Sequence, residues 1–340
     1  VNRARTHNEE TTDMTHETPE PTAEWDKVFP RSDAVDREKV AFRTRFGITL
    51  VADLYRPKGA EGELPALAVA GPFGAVKEQC SGLYAQTMAE RGYLTIAFDP
   101  SFTGESGGEP RYMNSPDINI EDFQAAVDFL SVRDDVDPGR IGIIGICGWG
   151  GMALAAAAAD PRIRATVAST MYDMSRVAAK GYFDSADSVQ ERNRTRASVA
   201  AQRTADYRSG VYAMAGGVVD PLPEDAPPFV KDYYDYYKTP RGYHPRSLNS
   251  NAGWTVIGGS SLTNATLLGY IEEIEGAVMI VHGEAAHSYY MGRDAFARLT
   301  GDNKEFVTIP GAVHTDLYDG GGKNAIPWDR LTGFFDARFA

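Results

Sequence analysis

The chain has 340 residues, of which 43% are hydrophobic, enough for one large α/β domain carrying an insertion, or for two modest domains. Its formal net charge of −13 argues against nucleic acid or an anionic membrane as the main partner and leaves only local basic patches, such as one around Arg241 and Arg246. With Cys80 and Cys147 as its two cysteines, the chain fits no secreted disulfide framework; no run approaches the roughly 18 apolar residues of a membrane span.

Residues 1–24 read as a polar, Thr- and Glu-rich tail with no apolar signal-peptide core, and the cytoplasm is the expected compartment. Residues 39–55 alternate apolar and polar around a Phe-Gly turn, which predicts an antiparallel hairpin at a sheet edge. LPALAVAG (64–71) is a continuous apolar run, as a buried parallel strand requires. Val76, Cys80, Leu83, Tyr84 and Met88 then recur at helical spacing up to Gly92. A strand is expected at 93–99 and a helix at 121–131. A strand at 140–146, a small-residue helix at 150–159 and a strand at 164–170 follow. The alternation resumes with a strand at 277–283, the helix SYYMGRDAFARL, the strand KEFVTIPG and the closing helix WDRLTGFFDARF. Such β-α-β-α order means a mostly parallel, doubly wound sheet. Residues 174–265 interrupt it. A structureless loop of that length is improbable, so an inserted, mainly helical cap is expected, with 25–173 and 266–340 as the core.

IGIIGICGWGGMALAAAA (141–158) carries the chemistry. A buried strand runs through a glycine-dense turn straight into a small-residue helix, the setting of a nucleophile elbow in an α/β-hydrolase fold. Centred on Cys147, the turn has Gly145 in the small position two before, and Trp149 where glycine is usual. Centred on Gly148 it has no nucleophile. The plainer reading is a buried, inert cysteine, but such a residue does not need these glycines. At a helix N-terminus the amides and the dipole are expected to lower the thiol pKa.

The matching base is His314, in PGAVHTDLYD after the last strand. His7 and His16 lie in the tail and His244 in the cap. HGEAAH (282–287) has the wrong spacing for a zinc HExxH, so no metal is expected. The acid that would orient His314 is open between Asp173 and Glu284, because Ala286 occupies the usual aspartate position; Asp316 reads as a loop carboxylate. Gly148 N–H supplies one oxyanion donor, and Phe73 or Gly74 the other, since Pro72 has no N–H. Lys77 and Glu78 either pin that loop or form an exposed first helical turn. The loop DPSFTGESGGEPR (99–111) lacks the lysine and the following helix of a phosphate loop. Trp149, Tyr237, Tyr243 and Trp254 are the expected substrate-binding aromatics.

Together, PFGAVKEQ, AFDPSFTGESGGEPR, GICGWGG, TPRGYHPR, HGEAAHS and PGAVHTDLYD resemble the fungal polyketide transferase family and its bacterial homologues. More distantly, the elbow resembles that of dienelactone hydrolases. The likeness spans nearly all of the chain beyond about residue 25. It implies an α/β-hydrolase with Cys147 and His314 as nucleophile and base, and specifies neither the acid nor a substrate; the site residues themselves point to a Cys–His–acid triad acting through an acyl-enzyme on an ester, lactone or thioester. The implied partner is a small-molecule acyl substrate, free or carrier-bound, with no cofactor and with a homodimer among the open oligomeric states. The acceptor is either water, or an alcohol or carbanion as in a polyketide-type transferase or cyclase. A non-catalytic binding protein is the contrasting class, supported by Trp149 crowding the elbow and by Ala286.

Overall fold

A computed structural model describes residues 18–340; the tail expected at 1–24 lies mostly outside them. Its last residues are tied down, with Thr22 N–H donating to Glu105 Oε1 at 2.8 Å.

The expected hairpin is formed by β1 (Val35–Arg43) and β2 (Thr49–Pro57), paired antiparallel from Val35 opposite Pro57 to Arg43 opposite Thr49. The continuous apolar runs become β3 (Leu64–Ala70), β4 (Leu94–Phe98), β5 (Val136–Ile146), β6 (Ala165–Ser169) and β7 (Ala277–Gly283), and β8 (Lys304–Ile309) closes the far edge. The order across the sheet is β1-β2-β4-β3-β5-β6-β7-β8. All pairs from β4 onward are parallel.

Helices α1 (Cys80–Ala89), α2 (Pro116–Ser131) and α3 (Gly148–Ala159) connect the central strands. β4, β6 and β7 are buried along their whole length, which is why they read as unbroken apolar runs and not as alternating ones. Between β6 and β7 the chain leaves the sheet through α4 (Met174–Lys180), α5 (Val189–Ser209) and α6 (Pro228–Lys238), joined by turns and irregular segments. After β7, α7 (Tyr289–Phe296) leads to β8, and α8 (Asp316–Asp319) and α9 (Trp328–Phe339) follow it. The loops that leave β3, β5, β6, β7 and β8 all open at the C-terminal edge of the sheet, where open α/β sheets hold their ligands.

Candidate active site

Cys147 joins β5 to α3 with φ 58° and ψ −124°, a left-handed conformation that costs a non-glycine residue about 1–3 kcal/mol. The surroundings enforce it. Its N–H donates to Ser169 O, and its carbonyl accepts from Gly150 N–H and Tyr172 N–H, each at 2.9 Å. The neighbours must be glycine: a Cβ on Gly145 would stand 2.0 Å from Trp149 O, and one on Gly148 would stand 2.8 Å from Phe73 Cβ. These glycines therefore exist to permit the turn.

The sulfur is almost fully buried. Burial raises its pKa; the Tyr318 hydroxyl, the Gly148 and Phe73 N–H groups and the Tyr233 hydroxyl pull the other way without cancelling it. This corrects the expectation of a lowered thiol pKa. A helix N-terminus favours thiolate, but removal from water outweighs it here. The backbone N–H groups that favour the thiolate are those of Gly148 and Phe73. Gly74 is instead the turn residue, at φ 89°, with its carbonyl taken by Ser247 Oγ at 3.0 Å and Asn249 N–H at 3.2 Å.

His314 follows β8 and is 1% exposed. Its Nδ1 lies 2.6 Å from Ser288 Oγ and 2.9 Å from Thr170 Oγ1, while its Nε2 is buried with no hydrogen-bond partner among the described residues. Burial lowers its pKa well below the usual histidine value, and His287 and His282 add to this. Its ring meets those of Tyr233 and Tyr318, each at 5.5 Å between centroids. Tyr233, Tyr318 and Cys147 line a common cavity of about 380 Å³.

With that geometry in place, sequence comparison assigns the family. The model of the X-Pro dipeptidyl-peptidase (S15) family matches residues 47–240. The chain belongs to this family of α/β-hydrolases. It is 54% identical to the uncharacterized protein PA2218 of Pseudomonas aeruginosa over 93% of this chain and 84% of that one. The crystal structure of PA2218 superposes with a TM-score of 0.90, covering 94% of this chain and 98% of the other at 53% identity. Two fungal enzymes match over shorter spans. Thiohydrolase aneE of Aspergillus aculeatus is 38% identical over 37% of this chain and 39% of its own. Polyketide transferase ATR5 of Stachybotrys chlorohalonatus is 40% identical over 39% and 44%, respectively. The likeness expected from the motifs is thus found, and the chain is an enzyme of the α/β-hydrolase superfamily.

Neither expected acid reaches the histidine of this family member. Asp173 caps α4, its Oδ1 accepting from Ser175 N–H, Ser175 Oγ–H and Arg176 N–H at 2.6–3.0 Å. Glu284 is exposed and accepts from Gly311 N–H at 3.0 Å. Among the described residues no carboxylate is hydrogen-bonded to His314, and the two hydroxyls of Thr170 and Ser288 hold Nδ1 instead. Asp316 does serve the loop, accepting from Val313 N–H at 3.0 Å. We expect Asp173→Asn and Glu284→Gln to keep kcat within about twofold. Ser288→Ala and Thr170→Val should each lower it about five- to tenfold, the worth of one hydrogen bond of roughly 1 kcal/mol. Steady-state kinetics on an ester that requires Cys147 checks this; a large loss in either acid variant would restore a carboxylate to the site.

Of the expected aromatics, Tyr237 and Trp254 line the cavity, and Trp254 stacks on Phe73 at 4.6 Å. Trp149 does not. The first turn of α3 carries it away from the sulfur into the core, edge-on to Phe98 at 5.8 Å and Phe123 at 5.4 Å, so it does not crowd the elbow. Tyr243 is exposed and bonded to Asn251 Oδ1 at 3.2 Å, outside the cavity.

Lys77 is wholly buried, which excludes the exposed-turn reading. Its Nζ reaches Glu78 at 2.8 Å, Asp99 at 2.7 Å and Glu105 at 2.6 Å, and so occupies the space between the acidic trio best placed to hold a cation. Arg246, from the segment between β6 and β7, adds 2.9 Å to Glu78 and 2.6 Å to Asp26. Lys27 binds Asp53 at 2.6 Å. The glycine-rich loop 99–111 thus contributes Asp99 and Glu105 to a lock that fixes the loop carrying Phe73. The arginines offered as a basic patch are spent: Arg241 holds Asp319 at 2.8 Å and Asp235 at 2.9 Å. No helix among the described residues is long and apolar enough to cross a membrane.

Proposed function

We propose that this chain is a cysteine-dependent acyl-transfer enzyme that cleaves an ester, lactone or thioester through an acyl-enzyme on Cys147. The observation that carries the reading is the convergence of the strained Cys147 elbow with two backbone N–H groups, Gly148 and Phe73, on one aromatic cavity. The thiohydrolase relative favours a thioester within that class. Residues 174–265 would act as the cap over the cavity, with Tyr233 and Tyr237 of α6 and Trp254 covering an apolar acyl chain.

In this mechanism the substrate carbonyl enters beside the sulfur with its oxygen on the Gly148 and Phe73 amides. Cys147 attacks as its proton moves to Nε2 of His314, and the imidazolium returns that proton to the leaving group. Ser288 and Thr170 set the ring orientation. Because burial keeps the thiol and the imidazole neutral at rest, the nucleophile is made during the attack and is not stored as an ion pair. A polyketide-type transfer to a non-water acceptor uses the same steps, and the aromatic lining of the cavity, which disfavours bulk water, is the observation behind that second reading.

The neutral resting state has its own test. Iodoacetamide, which uses neither the amides nor the leaving-group proton, should label Cys147 slowly at pH 7, with a rate that climbs as pH passes the ordinary thiol range near 8.5. A p-nitrophenyl ester should acylate the same sulfur rapidly at pH 7. Rapid labelling by iodoacetamide at pH 7 that is lost in His314→Ala would reveal a preformed thiolate–imidazolium pair and contradict the neutral resting state.

A further inference from the structure

His287 lies next to the machinery just described but has no part in it. It directly precedes Ser288, the residue on Nδ1 of His314, and its ring centre is 5.1 Å from that of His314. It stacks on Phe229 at 4.4 Å and is flanked by Tyr233 at 5.6 Å, Tyr172 at 5.7 Å and Tyr182 at 6.2 Å. All four of these rings line the cavity that contains Cys147.

Both nitrogens of this ring are shut off from solvent, and neither bonds anything among the described residues. His282, at the end of β7, is a useful contrast, because its Nε2 is bonded to Met171 O at 3.1 Å. An aromatic cage needs no nitrogens, and a phenylalanine would pack there without the cost of two unpaired polar atoms. Burial, with His282 adding to it, lowers the pKa of His287 to about 4, so at neutral pH the ring carries one donor and one acceptor, both unspent.

We propose that His287 holds the acyl acceptor, hydrogen-bonding the hydroxyl group of the water or alcohol that attacks acyl-Cys147. This deepens the acyl-enzyme reading above and rests on it. In the step it serves, the acceptor oxygen attacks the thioester carbonyl and a C–O bond forms. The oxyanion rests on the Phe73 and Gly148 amides, and the C–S bond then breaks. The acceptor's proton passes to Nε2 of His314 and on to the departing Cys147 thiolate, which restores the neutral thiol and imidazole. His287 takes no net proton; it fixes where the hydroxyl sits, in a pocket of rings that would otherwise leave it unheld.

The test separates acylation from deacylation. p-Nitrophenyl hexanoate is mixed with the wild-type chain, His287→Phe and His287→Asn; the burst of p-nitrophenolate reports acylation, and the steady rate, with and without added 1-butanol, reports transfer to the acceptor. Phenylalanine fits the aromatic cage, so its burst should stay within about twofold while deacylation falls at least about tenfold and the acceleration by butanol disappears. His287→Asn, which keeps a donor and an acceptor, should recover part of both. Deacylation and butanol response at wild-type level in His287→Phe would overturn the proposal, as would equal losses in burst and steady rate in both variants, which would make His287 a support for His314 alone. A wild-type chain that turns over with no acyl group on Cys147 would instead overturn the acyl-enzyme reading, and this proposal with it.

Discussion

Cys147→Ala should lower kcat by at least about four orders of magnitude, the scale on which nucleophile removal acts in enzymes that work through a covalent intermediate. The fold should tolerate the change. Alanine keeps the Cβ that the elbow already accommodates at φ 58°, and the three hydrogen bonds that pin the turn involve only the backbone of residue 147. The loss would therefore be chemical, with unchanged circular dichroism. Cys80 is the internal control. It is buried in α1, its thiol pushed up by burial and by the nearby Cys147, and it carries no part of the mechanism, so Cys80→Ala should leave kcat within about threefold while costing some packing. Full activity in Cys147→Ala would remove the elbow from the account.

Lys77→Ala should cost about 3–5 kcal/mol of stability, the usual consequence of removing one partner from a buried ionic cluster. Three carboxylates, Glu78, Asp99 and Glu105, lie within 2.8 Å of its ammonium. The other cations of the cluster do not replace it: Lys39 reaches Glu105 at 2.7 Å but not Asp99, and Arg246 reaches Glu78 at 2.9 Å. Lys39→Ala, at the more open rim of the same cluster, should cost much less. The damage should extend to catalysis, because Lys77 N–H also donates to Asp99 at 2.8 Å and the loop it anchors positions Phe73. The cluster also gives an acid dependence. Burial alone would raise Glu78, but Lys77, Arg246 and Lys27 outweigh it and hold the carboxyl at about 2. A carboxyl held below its unfolded value stabilises the fold above the unfolded pKa, and this contribution is lost as pH falls from about 4.5 towards 2. Chemical denaturation of both variants at pH 7, and of the wild type through that acid window, checks these expectations; a Lys77→Ala protein as stable as wild type would contradict them.

What could be read in the sequence depended on how local the cause was. β3, β4, β6 and β7 were legible because burial on both faces leaves an unbroken apolar run. Cys147 was legible because its strained turn forces glycine at 145 and 148, a constraint written within four residues. His314 followed from its place after the last strand. The hydroxyls bonded to His314 Nδ1 were not legible. Thr170, Ser288 and His314 leave three different strands, and a hydroxyl that happens to meet an imidazole leaves no pattern in the chain. Asp173 stood in a suitable place, but a residue at the start of a helix is in demand as a cap, and α4 takes its carboxylate. Trp149 was misplaced because spacing along the chain does not say which way the first turn of α3 faces. The burial of Lys77 was hidden for a similar reason, since Asp99 and Glu105 reach it from the distant 99–111 loop and its neighbours in the cluster come from β1, β2 and the segment between β6 and β7. His287 gave only a near-miss zinc spacing; its significance lies in what surrounds the ring.

The most direct test of the central claim is to trap the covalent intermediate. The chain is mixed with p-nitrophenyl hexanoate, quenched in acid within the burst and examined by intact and peptide mass spectrometry. The account predicts one hexanoyl group per chain, on the peptide containing Cys147, removed by neutral hydroxylamine as a thioester is, and absent from Cys147→Ala. A hexanoyl group on another residue, or turnover by Cys147→Ala at the wild-type rate, would contradict it.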